Sequence, residues 1–362
     1  MRKRVLVICC TPYQLLVAVQ VLATYYPDAQ ADLLISDQMN GARSLWESAQ
    51  KAWPYGDVLF VEEKRLNRLA RGKTMGNICQ GLLAPEKLLQ RFVPVQGRYD
   101  VFLFSNISLL NQYLILGLRR RNPQLVWQLF EDGAETYSPL VGNLVQSSSW
   151  KVKLQLYQVQ KVQALYLFHP ETLDWTPACP VYKLSPTYAP ETLALLNAIF
   201  SYDRLSDRYD QPFLFFEESY PCDQVDIGDV ALVDRIAGLV GKENIFVKTH
   251  PRNPENRFQQ AGYATNASTA VPWELIVLNH SFSHTLFITV GSSAATNPYW
   301  VFGKPVRALF LCGLVEQPDR LRHKVLVRTR QLCAARPDLF FFPQTWEECA
   351  AFLAQQRKEL SA

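Results

Sequence analysis

The sequence contains no Asp-x-Asp, no Gly-x-x-x-x-Gly-Lys and no Gly-x-Gly-x-x-Gly. A metal-held diphosphate site, a P-loop nucleotidase and a dinucleotide oxidoreductase each lose their usual marker. Its eight cysteines, Cys9, Cys10, Cys79, Cys179, Cys222, Cys312, Cys333 and Cys349, are scattered and form no Cys-x-x-Cys pair. Reduced thiols in a cytoplasmic protein are the expectation, and no metal site is indicated. No Lys/Arg stripe interleaved with stacking aromatics is present, which argues against nucleic acid as a partner. No stretch reaches the roughly eighteen uninterrupted apolar residues that a membrane-spanning helix needs. The basic start Met1-Arg2-Lys3-Arg4 and the apolar run to Cys10 have the outline of a signal peptide. Thr11-Pro12-Tyr13-Gln14 breaks that run at once, so a first buried strand is the expected reading. Low-complexity tracts and internal repeats are also lacking.

What is there is a folded globular composition: 362 residues, 48% apolar, 19% charged and 12% aromatic. That length exceeds what one hydrophobic core usually supports, so two domains are expected. The net charge of +4 is mildly basic and suits an anionic ligand or a negatively charged membrane surface. Arg4 to Cys10 reads as a strand buried on both faces, and Thr11-Pro12 as the start of a helix to about Tyr26. Further strands are predicted at Leu33–Ile35, Val58–Val61, Tyr99–Asn106 and Gln124–Phe130, with helices over Ala42–Trp53 and Leu109–Arg121. From Ser138 to about Tyr209 the rhythm breaks, apart from a short strand at Ala164–Phe168, and this part reads as the tail of the first domain plus a linker. Alternation resumes with strands at Pro212–Phe216, Ile245–Lys248, Leu286–Val290, Val306–Leu311 and Leu339–Phe342. Helices are predicted at Asp226–Leu239, Pro272–Leu278, from Ser293 onward and at Thr345–Leu360. Strands alternating with helices at this spacing indicate parallel sheets. The fold class is therefore α/β, with two Rossmann-like domains, 1–205 and 206–362, facing a cleft in the GT-B-like manner.

The segment Lys248-Thr249-His250-Pro251-Arg252 is the chemical focus. A residue before proline is pushed out of the helical region, so His250 belongs in extended backbone at the carboxyl end of a strand. Open α/β sheets bind ligands at that edge. Lys248 and Arg252 bracket the imidazole with two positive charges, as suits the holding of a phosphate and neutralisation of its leaving oxygen. A second pair, His169-Pro170, shows how little the dipeptide means alone. Gly291-Ser292-Ser293 joins a strand to a helix, where backbone N–H groups and two hydroxyls could hold the same phosphate. Glu131-Asp132-Gly133 ends a strand of the first half, and a carboxylate there could take a proton from an attacking hydroxyl. Glu217-Glu218-Ser219-Tyr220-Pro221-Cys222-Asp223 makes Asp223 a rival for that role, although a solvated loop explains the cluster equally well.

Taken in order, Cys10-Thr11-Pro12-Tyr13-Gln14, Phe130-Glu131-Asp132-Gly133, Gly142-Asn143-Leu144-Val145-Gln146-Ser147-Ser148-Ser149, His250-Pro251-Arg252 and Ser292-Ser293 resemble the bacterial sialyltransferases. The likeness is greatest to glycosyltransferase family 52, which includes lipooligosaccharide sialyltransferases and related capsule enzymes. The resemblance implies metal-independent, inverting transfer of sialic acid from CMP-sialic acid, the donor substrate, to a galactose-type hydroxyl of a glycan or glycolipid acceptor, with no cofactor. It implies that His250 is the general acid, that Ser292 and Ser293 bind the CMP phosphate beside Gly291, Pro251, Arg252 and Lys248, and that Thr11 and Gln14 belong to the substrate site. The base stays open between Asp132 or Glu131 and Asp223. A homodimer and peripheral contact with the inner face of the cell membrane also follow from the resemblance, without the amino-terminal anchor some relatives carry. Two rivals stand beside this reading: the same fold with another donor, for example a glucosyltransferase, and a nucleotide- or glycan-binding protein without turnover.

Overall fold

Strand β1 (Arg4–Cys9) is buried from Val5 onward, which is why it reads as an unbroken apolar run. Its chain turns into α1 (Pro12–Tyr25), where the Thr11 hydroxyl accepts the Gln14 N–H at 3.1 Å and Pro12 occupies the first helical position. A computed structural model describes residues 2–72, 85–93, 95–133, 135–137, 161–173, 175–203, 208–322 and 325–360. The island Gly142–Ser149 and Cys79 therefore lie outside the described residues. The chain divides into two compact units, Met1–Tyr202 and Asp203–Ala362.

The first unit continues with β2 (Gln30–Ser36), α2 (Ala42–Ala52), β3 (Val58–Val61), α3 (Glu63–Gly72), α4 (Pro85–Phe92), β4 (Val101–Phe104), α5 (Leu109–Arg121) and β5 (Val126–Phe130). After these come β6 (Leu165–Leu167), β7 (Val181–Lys183) and α6 (Pro190–Ile199). The seven strands form one parallel sheet in the order β3-β2-β1-β4-β5-β6-β7. The order reverses between β1 and β4, the place where a doubly wound sheet opens a crevice at its carboxyl edge. Strand β6 is the short strand expected at Ala164–Phe168, and part of the region read as linker is structural too: β7 extends the sheet, and α6 packs on α1 and α2. A strand of three residues beside a proline, as β7 is, is too short to show a period of two.

The second unit runs β8 (Phe213–Phe216), α7 (Asp229–Val240), β9 (Ile245–Lys248), α8 (Arg257–Gln260), β10 (Ala264–Thr265), α9 (Trp273–Asn279), β11 (Leu286–Thr289), α10 (Asn297–Phe302), β12 (Arg307–Phe310), α11 (Val325–Ala335), β13 (Phe340–Phe341) and α12 (Trp346–Leu360). Its six parallel strands stand in the order β10-β9-β8-β11-β12-β13. Here the reversal falls between β8 and β11. The register sets Phe216 beside Lys248 and Thr289, and Thr289 beside Phe310. The loops after these four strands therefore leave the sheet at one level. Both units are Rossmann-like, as the alternation of the sequence predicts. Among the described residues no helix is long and apolar enough to cross a membrane, and the seven cysteines described are free thiols.

Candidate functional site

Because β8 lies between β9 and β11, the residues that follow it can reach both neighbouring loops. Two consecutive glutamates do so. Glu217 accepts the His250 backbone N–H at 2.9 Å, and Glu218 accepts the Gly291 N–H at 2.8 Å. Both side chains are buried. Glu217 is balanced by Arg257 at 3.2 Å, and Arg257 also pairs with the buried Asp229 at 2.8 Å. Burial pushes the Glu218 carboxyl above its ordinary range, against the pull of the Gly291 N–H and the Arg322 charge. The acidic run is therefore an internal brace at this point, where the sequence left room for a solvated loop.

The loop after β9 holds His250 by its ring as well. The Arg252 N–H points to His250 Nδ1 at 3.2 Å, so Nδ1 is the acceptor and the proton of the neutral ring sits on Nε2. Burial is the first cause that lowers the imidazole to about 4, followed by the charges of Arg252, Lys248 and Arg322, while Asp223 opposes them. The ring is therefore neutral near pH 7 and offers an Nε2–H donor.

His250, Arg252, Glu218, Ser219, Gly291, Ser292 and Ser293 line a cavity of about 510 Å³, with Arg322 and Arg328 on further parts of its wall. Ser219 Oγ accepts from Arg252 at 2.9 Å and also from Arg322. Arg322 is held again by Asp223 Oδ2 at 2.8 Å and lies over the Tyr220 ring. The anion site expected at a helix start differs in its physics. Ser292 caps a three-residue 3-10 turn, Ser293–Ala295, and its Oγ accepts the Ala294 N–H at 3.3 Å. The Gly291 N–H is taken by Glu218, and the Ser292 N–H by Thr289 Oγ1 at 3.0 Å. So short a turn has little dipole. The positive field instead comes from arginine side chains, and the serines contribute hydroxyls. Lys248 is buried at the end of β9 and Pro251 is exposed in the following turn. Neither lines the cavity, although the Lys248 charge acts on His250. Asp223 is absent from the lining too and reaches the site through its ion pair with Arg322.

The remaining sequence-picked residues meet in the first unit. Gln14 Oε1 accepts the Cys10 N–H at 2.6 Å, and its Nε2 donates to Asp132 Oδ1 at 2.7 Å. Thr11 contributes through the helix cap. Asp132 precedes Gly133 at φ 76°, a left-handed position that suits glycine, and its N–H bonds Thr136 Oγ1 at 2.8 Å. Glu131 is buried, accepting from Tyr13 at 2.5 Å, from the Phe168 N–H at 2.9 Å and from the Tyr137 hydroxyl. Burial raises its pKa, with the tyrosine bonds opposing. Glu131 thus ties β5 to α1 and β6, whereas Asp132 is part-exposed and held by the Gln14 amide.

No protein-family model matches the chain, and no curated protein matches it. Solved structures do. The UDP-GlcNAc 2-epimerase of Methanocaldococcus jannaschii matches with a TM-score of 0.50 and 11% identity, over 98% of this chain and 92% of that one. LpCGTa, solved in complex with UDP, matches with a TM-score of 0.50 and 10% identity, over 99% of this chain and 91% of that one. At such identities the likeness is one of fold.

Sequence reasoning missed Arg322, Arg328 and the bracing glutamates. For Arg328 one signal existed: Val325, Arg328, Thr329 and Leu332 fall at i, i+3, i+4 and i+7, a single helical stripe, and all four line the cavity.

Three outcomes follow from this geometry. Glu217→Ala leaves the His250 N–H unpaired and Arg257 with Asp229 alone, and should cost about 1–3 kcal/mol in denaturant unfolding. In an NMR titration of the ligand-free protein, the His250 ring should protonate near pH 4 instead of near 6.5. Between those values the unfolded chain binds the extra proton and the folded chain does not, so this residue's contribution is complete above pH 6.5 and is lost as the pH falls toward 4. His250→Gln should flatten that part of the pH–stability curve.

Proposed function

We propose that the chain is a glycosyltransferase that uses a nucleotide-activated sugar, held in the second unit with phosphate against His250, Ser292, Ser293 and Arg252. The observation that supports this reading is their convergence in one cavity at the sheet's reversal point, with Arg322 beside them. Such an array neutralises charge on a departing phosphate. The acceptor hydroxyl oxygen bonds to the anomeric carbon from the face opposite the phosphate, and the bond from that carbon to the phosphate oxygen breaks, inverting the configuration. The electron pair stays on the phosphate, where His250 Nε2–H donates and guanidinium groups balance the charge. A bound anion also offsets the cations that depress the ring's pKa, so the imidazole becomes a better proton carrier once donor is present. Asp132 is the proposed base. Asp223 would have to give up its ion pair with Arg322 to accept a proton.

CMP-sialic acid is the donor favoured by the ordered motifs, with a galactose-type hydroxyl of a lipooligosaccharide or capsular glycan as acceptor. Transfer would then need no metal, and peripheral attachment to the inner membrane face and a homodimer belong to the same reading. A UDP-sugar is the second reading, motivated by LpCGTa's bound UDP and the epimerase's UDP-GlcNAc.

The test offers the purified protein CMP-sialic acid, UDP-glucose and UDP-GlcNAc in parallel, with a galactose-terminated acceptor and a chelator, and analyses products by mass spectrometry. Transfer from one donor is expected. His250→Ala should lower kcat by about 10²–10⁴-fold with an unchanged circular dichroism spectrum, and Asp132→Asn should fall similarly. Full activity of His250→Ala, or release of an epimerised nucleotide sugar without transfer, would overturn the proposal.

A further inference from the structure

We infer that the cavity of the second unit takes a ligand with two separate anionic groups, and that Arg328 reads the second of them. The inference deepens the nucleotide-sugar reading and rests on it for the nucleoside part alone. Arg252 and Arg322 form a fixed pair, because both donate to Ser219 Oγ and Arg322 is anchored by Asp223. With His250, Ser292 and Ser293 they account for one phosphate. Arg328 takes no part in that network. It projects from α11, which follows β12, and β8 and β11 stand between β9 and β12. Val325, Thr329 and Leu332 of the same helix also line the cavity.

Among the described residues no ion pair or hydrogen bond holds Arg328. The one carboxylate in the cavity lining, Glu218, is already engaged by the Gly291 N–H. A guanidinium beside a part-enclosed cavity without a counter-charge fits a ligand that brings its own. Thr329, next to it on the helix, lines the cavity as well. The sequence has no Asp-x-Asp through which a metal ion could hold a second phosphate, which leaves that charge to an arginine. Two chemistries present the second anion: the second phosphate of a nucleoside diphosphate, and a carboxylate on the transferred sugar.

Isothermal titration of the full chain, with chelator, compares UMP with UDP, CMP with CMP-sialic acid, and inorganic phosphate with pyrophosphate. In the unaltered protein at least one two-anion ligand should bind more tightly than its one-anion counterpart by about tenfold. A gain with UDP identifies a second phosphate, and a gain with CMP-sialic acid identifies the carboxylate. In Arg328→Gln that ratio should fall below about threefold while binding of the one-anion ligand changes little. The substitution is on an exposed helical position, and a thermal melt confirms that the fold is retained. No preference in the unaltered protein, or equal weakening of both ligands in Arg328→Gln, overturns the inference. The nucleoside-free pair separates the two claims. An Arg328-dependent preference for pyrophosphate with no nucleotide binding keeps the two-anion site and discards the nucleotide reading. Nucleotide binding with no Arg328-dependent preference in any of the three pairs does the reverse.

Discussion

The second unit depends on two buried carboxylates that hold backbone N–H groups on either side of their own strand. An α/β sheet fixes strands well and the loops beyond them poorly, because the ladder of hydrogen bonds stops where the strands stop. Glu217 and Glu218 extend that order past the sheet edge, one to the loop that bears His250 and one to the loop that bears Ser292. Ionised carboxylates are strong acceptors, and in a dry setting each such bond is worth more than a neutral one. Burying them is costly, and Arg257 and Asp229 complete a network in which Glu217 retains a counter-charge.

A second constraint is the concentration of like charge. Burial first, and after it the charges of Arg252, Lys248 and Arg322, hold His250 neutral in the ligand-free protein, and those same cations attract an anion. Ligand binding and proton binding are then linked. An anion that balances the arginines also relieves the pressure on the ring, and proton affinity rises when a leaving group is there to receive the proton.

Much of the fold was legible because it is local. The apolar run ending at Cys9, the Thr11-Pro12 helix start and the β-branched strand before His250 each declare themselves within ten residues. Less was legible where partners are distant. Glu217 and Glu218 read as an acidic turn because their acceptor roles are set by amides 33 and 73 residues away. Arg322 falls in a stretch without periodicity, and Arg328 is one of two arginines on an otherwise ordinary helix. In the first unit, Gln14 and Asp132 stood out singly, but the contact between them, across 118 residues, belongs to tertiary structure. Strand β7 escaped for a simpler reason, since three residues carry no pattern.

Those short outer strands have a consequence for how copies of the chain can meet. The first sheet ends in β3 and β7, of four and three residues, and the second in β10 and β13, of two residues each. An open sheet exposes unpaired amides and carbonyls along its margins, and long flat margins recruit strands from other molecules. Here both sheets taper before such a template develops. Strand-by-strand aggregation finds little purchase, and specific self-association is left to side-chain surfaces, where its geometry is open to selection.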